Sequence, residues 1–111
     1  MYIHMKMYSS KPLHQAYKLF FGALATDSRL HILNILREKP KNVSQICKET
    51  GYEQSLVSHN LTILEYHGMV FREQKGKYRY YKLNEQTITP LLKLIDAHMK
   101  KYCCKILEGK R

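Results

Sequence analysis

The sequence predicts a mainly α-helical fold with one small β-hairpin, in the order α-α-α-α-β-β-α. Three observations carry this expectation. Apolar side chains recur at three- and four-residue steps as far as about His67, the period changes to two between Met69 and Leu83, and helical spacing returns after Thr89-Pro90.

In chain order, residues 12–25 form the first helix, with Leu13, Ala16, Tyr17, Phe20 and Leu24 along one side. Thr26-Asp27-Ser28 is a helix-start signal, and Asp27 is the expected N-cap because its carboxylate can accept from unpaired first-turn amides. The second helix buries Leu30, Ile32, Leu33, Ile35 and Leu36 and stops at Lys39-Pro40, since a pre-proline residue is driven out of the α region. A short third helix from Asn42 or Val43 turns Val43, Ile46 and Cys47 inward and closes at Thr50-Gly51, where glycine suits a left-handed turn. The fourth, residues 54–67, carries Val57, Leu61 and Leu64 as a buried stripe on an otherwise polar cylinder. Residues 69–74 and 78–83 pair as a hairpin around Lys75-Gly76-Lys77. Thr89-Pro90 opens the last helix with proline at its first position, and Leu91, Leu92, Leu94, Ile95, Met99 and Tyr102 carry it to about residue 107.

At 111 residues the chain is sized for one domain spanning 1–111. Its longest apolar run, residues 19–25, is about a third of a bilayer span, so no membrane crossing is expected. The first seven residues lack the apolar core of a secretory signal, and three cysteines, two of them adjacent, do not make the paired framework of a small secreted domain. A cytoplasmic protein with reduced thiols is expected. Its 19 Lys and Arg against 9 Asp and Glu leave a net charge of +10, which implies a polyanionic partner. An enzyme is not expected, because the chain has no Gly-rich phosphate loop, no paired carboxylates in a recognisable setting and no nucleophile motif with its base.

Two helices joined by a tight glycine-bearing turn and followed by a basic hairpin form a winged helix-turn-helix. Opposite the Val57/Leu61/Leu64 stripe stand Gln54, Ser55, Ser58, His59 and Thr62, short or planar hydrogen-bonding groups suited to base edges in a major groove. These residues, Gln54 and Ser55 above all, equally suit helix capping and a solvated face. The hairpin favours the first reading: between Arg72 and Lys82 there are five basic residues and one acidic one, and Lys75, Lys77 and Arg79 are placed to hold phosphates.

Over about residues 19–84 the sequence resembles the ArsR-type winged-helix regulators, the arsenical and metallothionein repressors. Phe21-Gly22-Ala23-Leu24-Ala25-Thr26-Asp27-Ser28-Arg29-Leu30 with Ile32-Leu33 is similar to that family's F-x-A-L-A-D-x-x-R-x-x-I-L segment. Gly51-Tyr52-Glu53-Gln54-Ser55-Leu56-Val57-Ser58-His59-Asn60-Leu61 resembles its G-x-S-Q-S-x-V-S-x-H-L recognition helix, with Asn60 where the family carries His. Gly68-Met69-Val70 and Tyr80-Tyr81-Lys82-Leu83 resemble the two ends of its wing. The resemblance implies a homodimer built on the first and last helices (12–25 and 89–107), binding an inverted-repeat operator in double-stranded DNA and repressing transcription until a small effector releases it.

The resemblance also frames the effector. The family's cysteine pair at the start of the third helix corresponds to Asn42-Val43-Ser44, and its ligands on the last helix correspond to Glu85, Thr87, His98 and Lys101, which do not make a tight zinc site. Cys103-Cys104 resembles a vicinal pair found in a subset of arsenical repressors, which implies As(III), Sb(III) or another soft metal ion as ligand. Cys47 reads as a small core residue and His98 as a packing residue at the dimer seam. Two other readings stay open: an effector-independent or redox-responsive DNA-binding protein, and a protein-interaction or membrane-surface module that uses the basic C-terminal segment.

Overall fold

The computed structural model describes residues 10–111; the first nine, including the segment read for a secretory signal, lie outside the described residues. Four helices, α1 (Lys11–Leu24), α2 (Asp27–Ile35), α3 (Val43–Thr50) and α4 (Gln54–Tyr66), precede strands β1 (Val70–Lys75) and β2 (Tyr78–Leu83). Helix α5 (Ile88–His98) follows, then a π-helical turn (Met99–Cys103) and a short α6 (Cys104–Leu107). The predicted order is therefore present, with the last helix running on to Leu107 through a π turn. At that turn the Cys104 amide donates to the Met99 carbonyl, a five-residue step in place of four.

Several boundaries differ from the sequence reading for local reasons. Helix α1 starts earlier because Ser10 caps it, its side chain accepting from the Leu13 amide, with Pro12 in the first turn. The N-cap of α2 is Thr26 rather than Asp27: the Thr26 hydroxyl accepts from the Arg29 amide, which leaves Asp27 in the first turn, where its charge suits the positive helix end. Helix α2 ends at Ile35, before the Lys39-Pro40 stop. Helix α5 starts at Ile88, so Thr89 and Pro90 lie inside its first turn, and the entry is organised by Asn84, whose side chain accepts from the Gln86 and Thr87 amides.

One hydrophobic core joins the end of α1, α2, α3, α4, the base of the hairpin and the start of α5, and contains Leu24, Ile32, Leu33, Ile46, Leu61, Leu64, Val70, Leu83 and Leu92. Leu30, expected inside, is 41% exposed, because α2 turns Ile32, Leu33 and Leu36 inward. Cys47 packs half-buried against the core, as a small apolar residue would. Helix α3 is closed by a capping box at Asn42 and Gln45 and ends at Gly51, whose φ of 78° is the left-handed conformation that allows the tight turn into α4.

The strands pair antiparallel from Val70↔Leu83 to Lys75↔Tyr78, leaving Gly76 and Lys77 as a two-residue loop. Gly76 at φ 62° takes the first loop position, where a side chain would be strained. Lys41 adds a bridge beside β2, donating to and accepting from Tyr81 through its backbone, which ties the hairpin base to the α2–α3 connection.

Candidate nucleic-acid interface

Helix α4 is held by what it buries. Val57, Leu61 and Leu64 are 0%, 1% and 0% exposed, and the turn at Gly51 aims the helix across α2 and α3. The opposite side is solvent-facing along its length: Gln54, Ser55, Ser58, His59 and Thr62 are all exposed. At 1.5 Å rise per residue these groups span about 12 Å, the width of a major groove. The capping alternative does not hold, since Glu53 occupies the N-cap position and no side chain caps the helix. The Thr62 hydroxyl donates back to the Ser58 carbonyl at 3.0 Å, leaving its oxygen to accept.

The hairpin separates the three cations expected to act together. Alternation places Val70, Arg72 and Gln74 with Arg79, Tyr81 and Leu83 on one face, whose base is buried, so Arg79 extends that face beyond the core. Lys75 lies on the opposite face, where Glu73 accepts from both Lys82 at 3.3 Å and Lys75 at 3.5 Å. Lys82 chiefly, and then Lys75, hold the Glu73 carboxyl below its ordinary value. Lys77 sits in the loop. Among the described residues, Lys77 and Arg79 form no ion pair, whereas Lys75 does. A further pair, Arg72 Nε to Glu65 Oε2 at 2.8 Å, sets β1 against the end of α4.

Sequence reasoning missed a polar cluster beneath α4. Asn60, at the position where the resembling family carries His, is 2% exposed. Its side-chain amide donates to Ser28 Oγ at 3.0 Å and its carbonyl accepts from Arg29 Nη1 at 3.2 Å. The departure at this position is therefore internal and leaves the exposed stripe unchanged. A signal was available: residue 60 stands three after Val57 and four before Leu64, on the buried side of the helix, and is polar.

The cysteines expected to take a metal lie at the end of the π turn in the last helix. Cys103 is half-buried in the π turn; Cys104 is exposed and lines a shallow groove with Asp96, Ala97, Met99 and Lys100. Cys47 lies on α3, beside Gln54. His98 is exposed, its ring 4.8 Å from that of Tyr102. Among the described residues, no three His, Cys, Asp or Glu side chains are grouped to hold a metal ion, and no helix is long and apolar enough to cross a membrane.

A helix-turn-helix whose second helix shows a polar face, followed by a two-stranded basic hairpin, defines a winged helix-turn-helix domain. The pattern for "Bacterial regulatory protein, arsR family" matches residues 26–71. The chain is 41% identical over 70 residues to the transcriptional regulator NmtR of Mycobacterium tuberculosis, a match covering 63% of this chain and 58% of NmtR. It is 33% identical over 81 residues to the arsenical resistance operon repressor of Bacillus subtilis, covering 72% and 77% of the two. Its fold matches the solution structure of a homodimeric winged helix-turn-helix DNA-binding domain, Mb0332 of Mycobacterium bovis, with a TM-score of 0.75 and 26% identity over 82% of this chain and 84% of that one. The chain belongs to the arsR family of regulatory proteins, a family of regulators and not of enzymes.

Proposed function

We propose that this chain is a cytoplasmic, homodimeric, sequence-specific DNA-binding regulator that represses transcription. The observation that carries the reading is the division of α4 into a fully buried apolar stripe and an exposed stripe of Gln54, Ser55, Ser58, His59 and Thr62, free of acidic residues. Phosphate contacts come from Lys77 and Arg79, with Lys75 joining them when it leaves Glu73.

The dimer is supported by apolar surface a single protomer leaves uncovered. On α1, Tyr17, Leu19 and Phe21 are 47%, 63% and 56% exposed, and Leu94 and Leu107 at the other end are 71% and 88% exposed. Such surface on a small domain marks an association face, and the Mb0332 domain is itself a homodimer. We read 12–25 and 89–107 as the dimerisation segments of one domain spanning 1–111. The test is enrichment of duplexes from a random pool, followed by competition: an inverted repeat should win over scrambled duplex, and equal binding of both sinks the specificity claim.

The effector reading rests on the thiols. Two soft donors on consecutive residues suit As(III) or Sb(III), the B. subtilis relative is an arsenical repressor, and the π turn that carries Cys103 is a feature frequently found at functional sites. Among the described residues no third His, Cys, Asp or Glu side chain is grouped with this pair, so a third donor has to come from the partner protomer or a solution thiol. Arsenite titration of the protein–DNA complex should release DNA from wild type but not from Cys103→Ser/Cys104→Ser. Equal release from both removes the thiols from the switch.

A further inference from the structure

Helix α1 touches its own protomer chiefly through its last turn, where Ala23 and Leu24 are its buried residues. That turn ends in carbonyls with no helical partner, and Arg29 of α2 takes two of them: Nε donates to the Ala23 carbonyl at 2.6 Å and Nη2 to the Gly22 carbonyl at 3.4 Å. Its remaining arm, Nη1, donates to Asn60 in the middle of α4, and Asn60 is tied in turn to Ser28 beside Arg29. One planar guanidinium thus touches the end of the helix that shows the apolar face and the hidden side of the helix that shows the polar stripe. A guanidinium is a rigid fork, so its arms cannot move independently. Asn60 is flanked by His59 and lies two residues before Thr62, so its placement sets the rotation of the exposed stripe about the helix axis.

We infer that Arg29 and Asn60 are positioning residues: they lock α4 to the end of α1, and through that lock they set how sharply the exposed stripe discriminates among DNA sequences. The inference rests on the reading of α4 as the DNA-facing helix. Lysine at position 29 keeps the charge but supplies a single point donor, which cannot reach both helices. Leucine at 60 keeps volume but removes the acceptor, while aspartate keeps an acceptor for Arg29.

The test has two arms. In the first, the affinity ratio between a duplex enriched by wild type and a scrambled duplex is measured for wild type, Arg29→Lys, Asn60→Leu and Asn60→Asp. The ratio should fall by about tenfold in the first two variants, the scale expected for a lost hydrogen bond to a charged group, and be largely restored in Asn60→Asp. In the second, which needs no DNA, amide hydrogen exchange is followed by residue. Arg29→Lys should lose protection both at Leu24 and Ala25 and at residues 60–64, with α3 unchanged, whereas a merely local role moves the end of α1 alone. An unchanged discrimination ratio in Arg29→Lys, or loss confined to α1, overturns the proposal. If wild type enriches no duplex, the DNA reading of α4 falls, and the exchange arm still decides whether the lock exists.

Discussion

Lys41 shows how a single residue settles opposing terms. Its side chain is 2% exposed, a costly place for an ammonium group, yet Nζ reaches Glu49 at 2.7 Å and Glu38 at 3.3 Å. The hydrogen bond to Glu49 raises its pKa and outweighs desolvation, which acts in the opposite direction. The contribution is therefore fully present below the ordinary lysine value and is lost only as pH rises through the raised one. Both carboxylates are far more exposed than the lysine, and this makes the pair asymmetric. Glu38→Gln/Glu49→Gln strands a buried cation and should cost about 1–3 kcal/mol, whereas Lys41→Met leaves two solvated carboxylates and should cost less. Urea midpoints of the two variants at pH 7 decide the order. Asn60 is the neutral counterpart: buried, polar and accounted for by Arg29 and Ser28. Neither partnership is visible in sequence, because the partners are 31 and 32 positions away from Asn60 and pair only after folding.

Among the elements, the hairpin carries the sharpest expectation. Its five cations do not form one cluster, because strand alternation divides them between two faces and Glu73 neutralises part of one. Glu73→Gln should release Lys75 and Lys82 and strengthen DNA binding at low salt. Arg79→Ala should weaken binding and flatten the dependence of log affinity on log salt by about one ion. A salt series on both variants checks this; a steeper loss from Lys75→Ala than from Arg79→Ala contradicts the division of faces. The helices divide similarly into what was legible and what was not. The apolar stripe of helix α4 and its exposed face were legible, though Asn60 on the buried side was not, because a 3.6-residue period survives any tertiary context that buries one side. The ends of α1, α2 and α5 were misplaced by one to several residues, since Ser10, Thr26 and Asn84 compete locally with neighbours of similar capping power.

At the scale of the whole molecule, α1 and the last helix flank the helix-turn-helix, and two tests belong to them. Arg37, just past α2, forms a two-pronged pair with Asp96 of α5. The Arg37 hydrogen bond holds the Asp96 carboxyl below its ordinary value. A depressed carboxylate stabilises fully above its unfolded pKa and less as pH falls through the folded one. The stability difference between wild type and Asp96→Asn should therefore be complete at pH 7 and shrink as pH drops below about 4; a difference that is constant down to pH 2 excludes the pair as its source. The apolar faces of α1 and the last helix give the second test: Leu94→Glu should convert a dimer to a monomer in sedimentation while leaving the circular-dichroism spectrum unchanged.

The sequence alone determined the element order, the division of α4 into a buried and an exposed side, and the family resemblance. These depend on periodicity and local propensity, which neighbouring residues encode directly. Tertiary structure decided that the last helix takes a π turn before Cys104, that Lys75 shares Glu73 with Lys82, and that Arg29 grips α1 and α4 together. The Lys82–Glu73 ion pair and the Arg29 contacts join residues on different strands or helices, and the distance between such groups is set only when the chain has closed around its core.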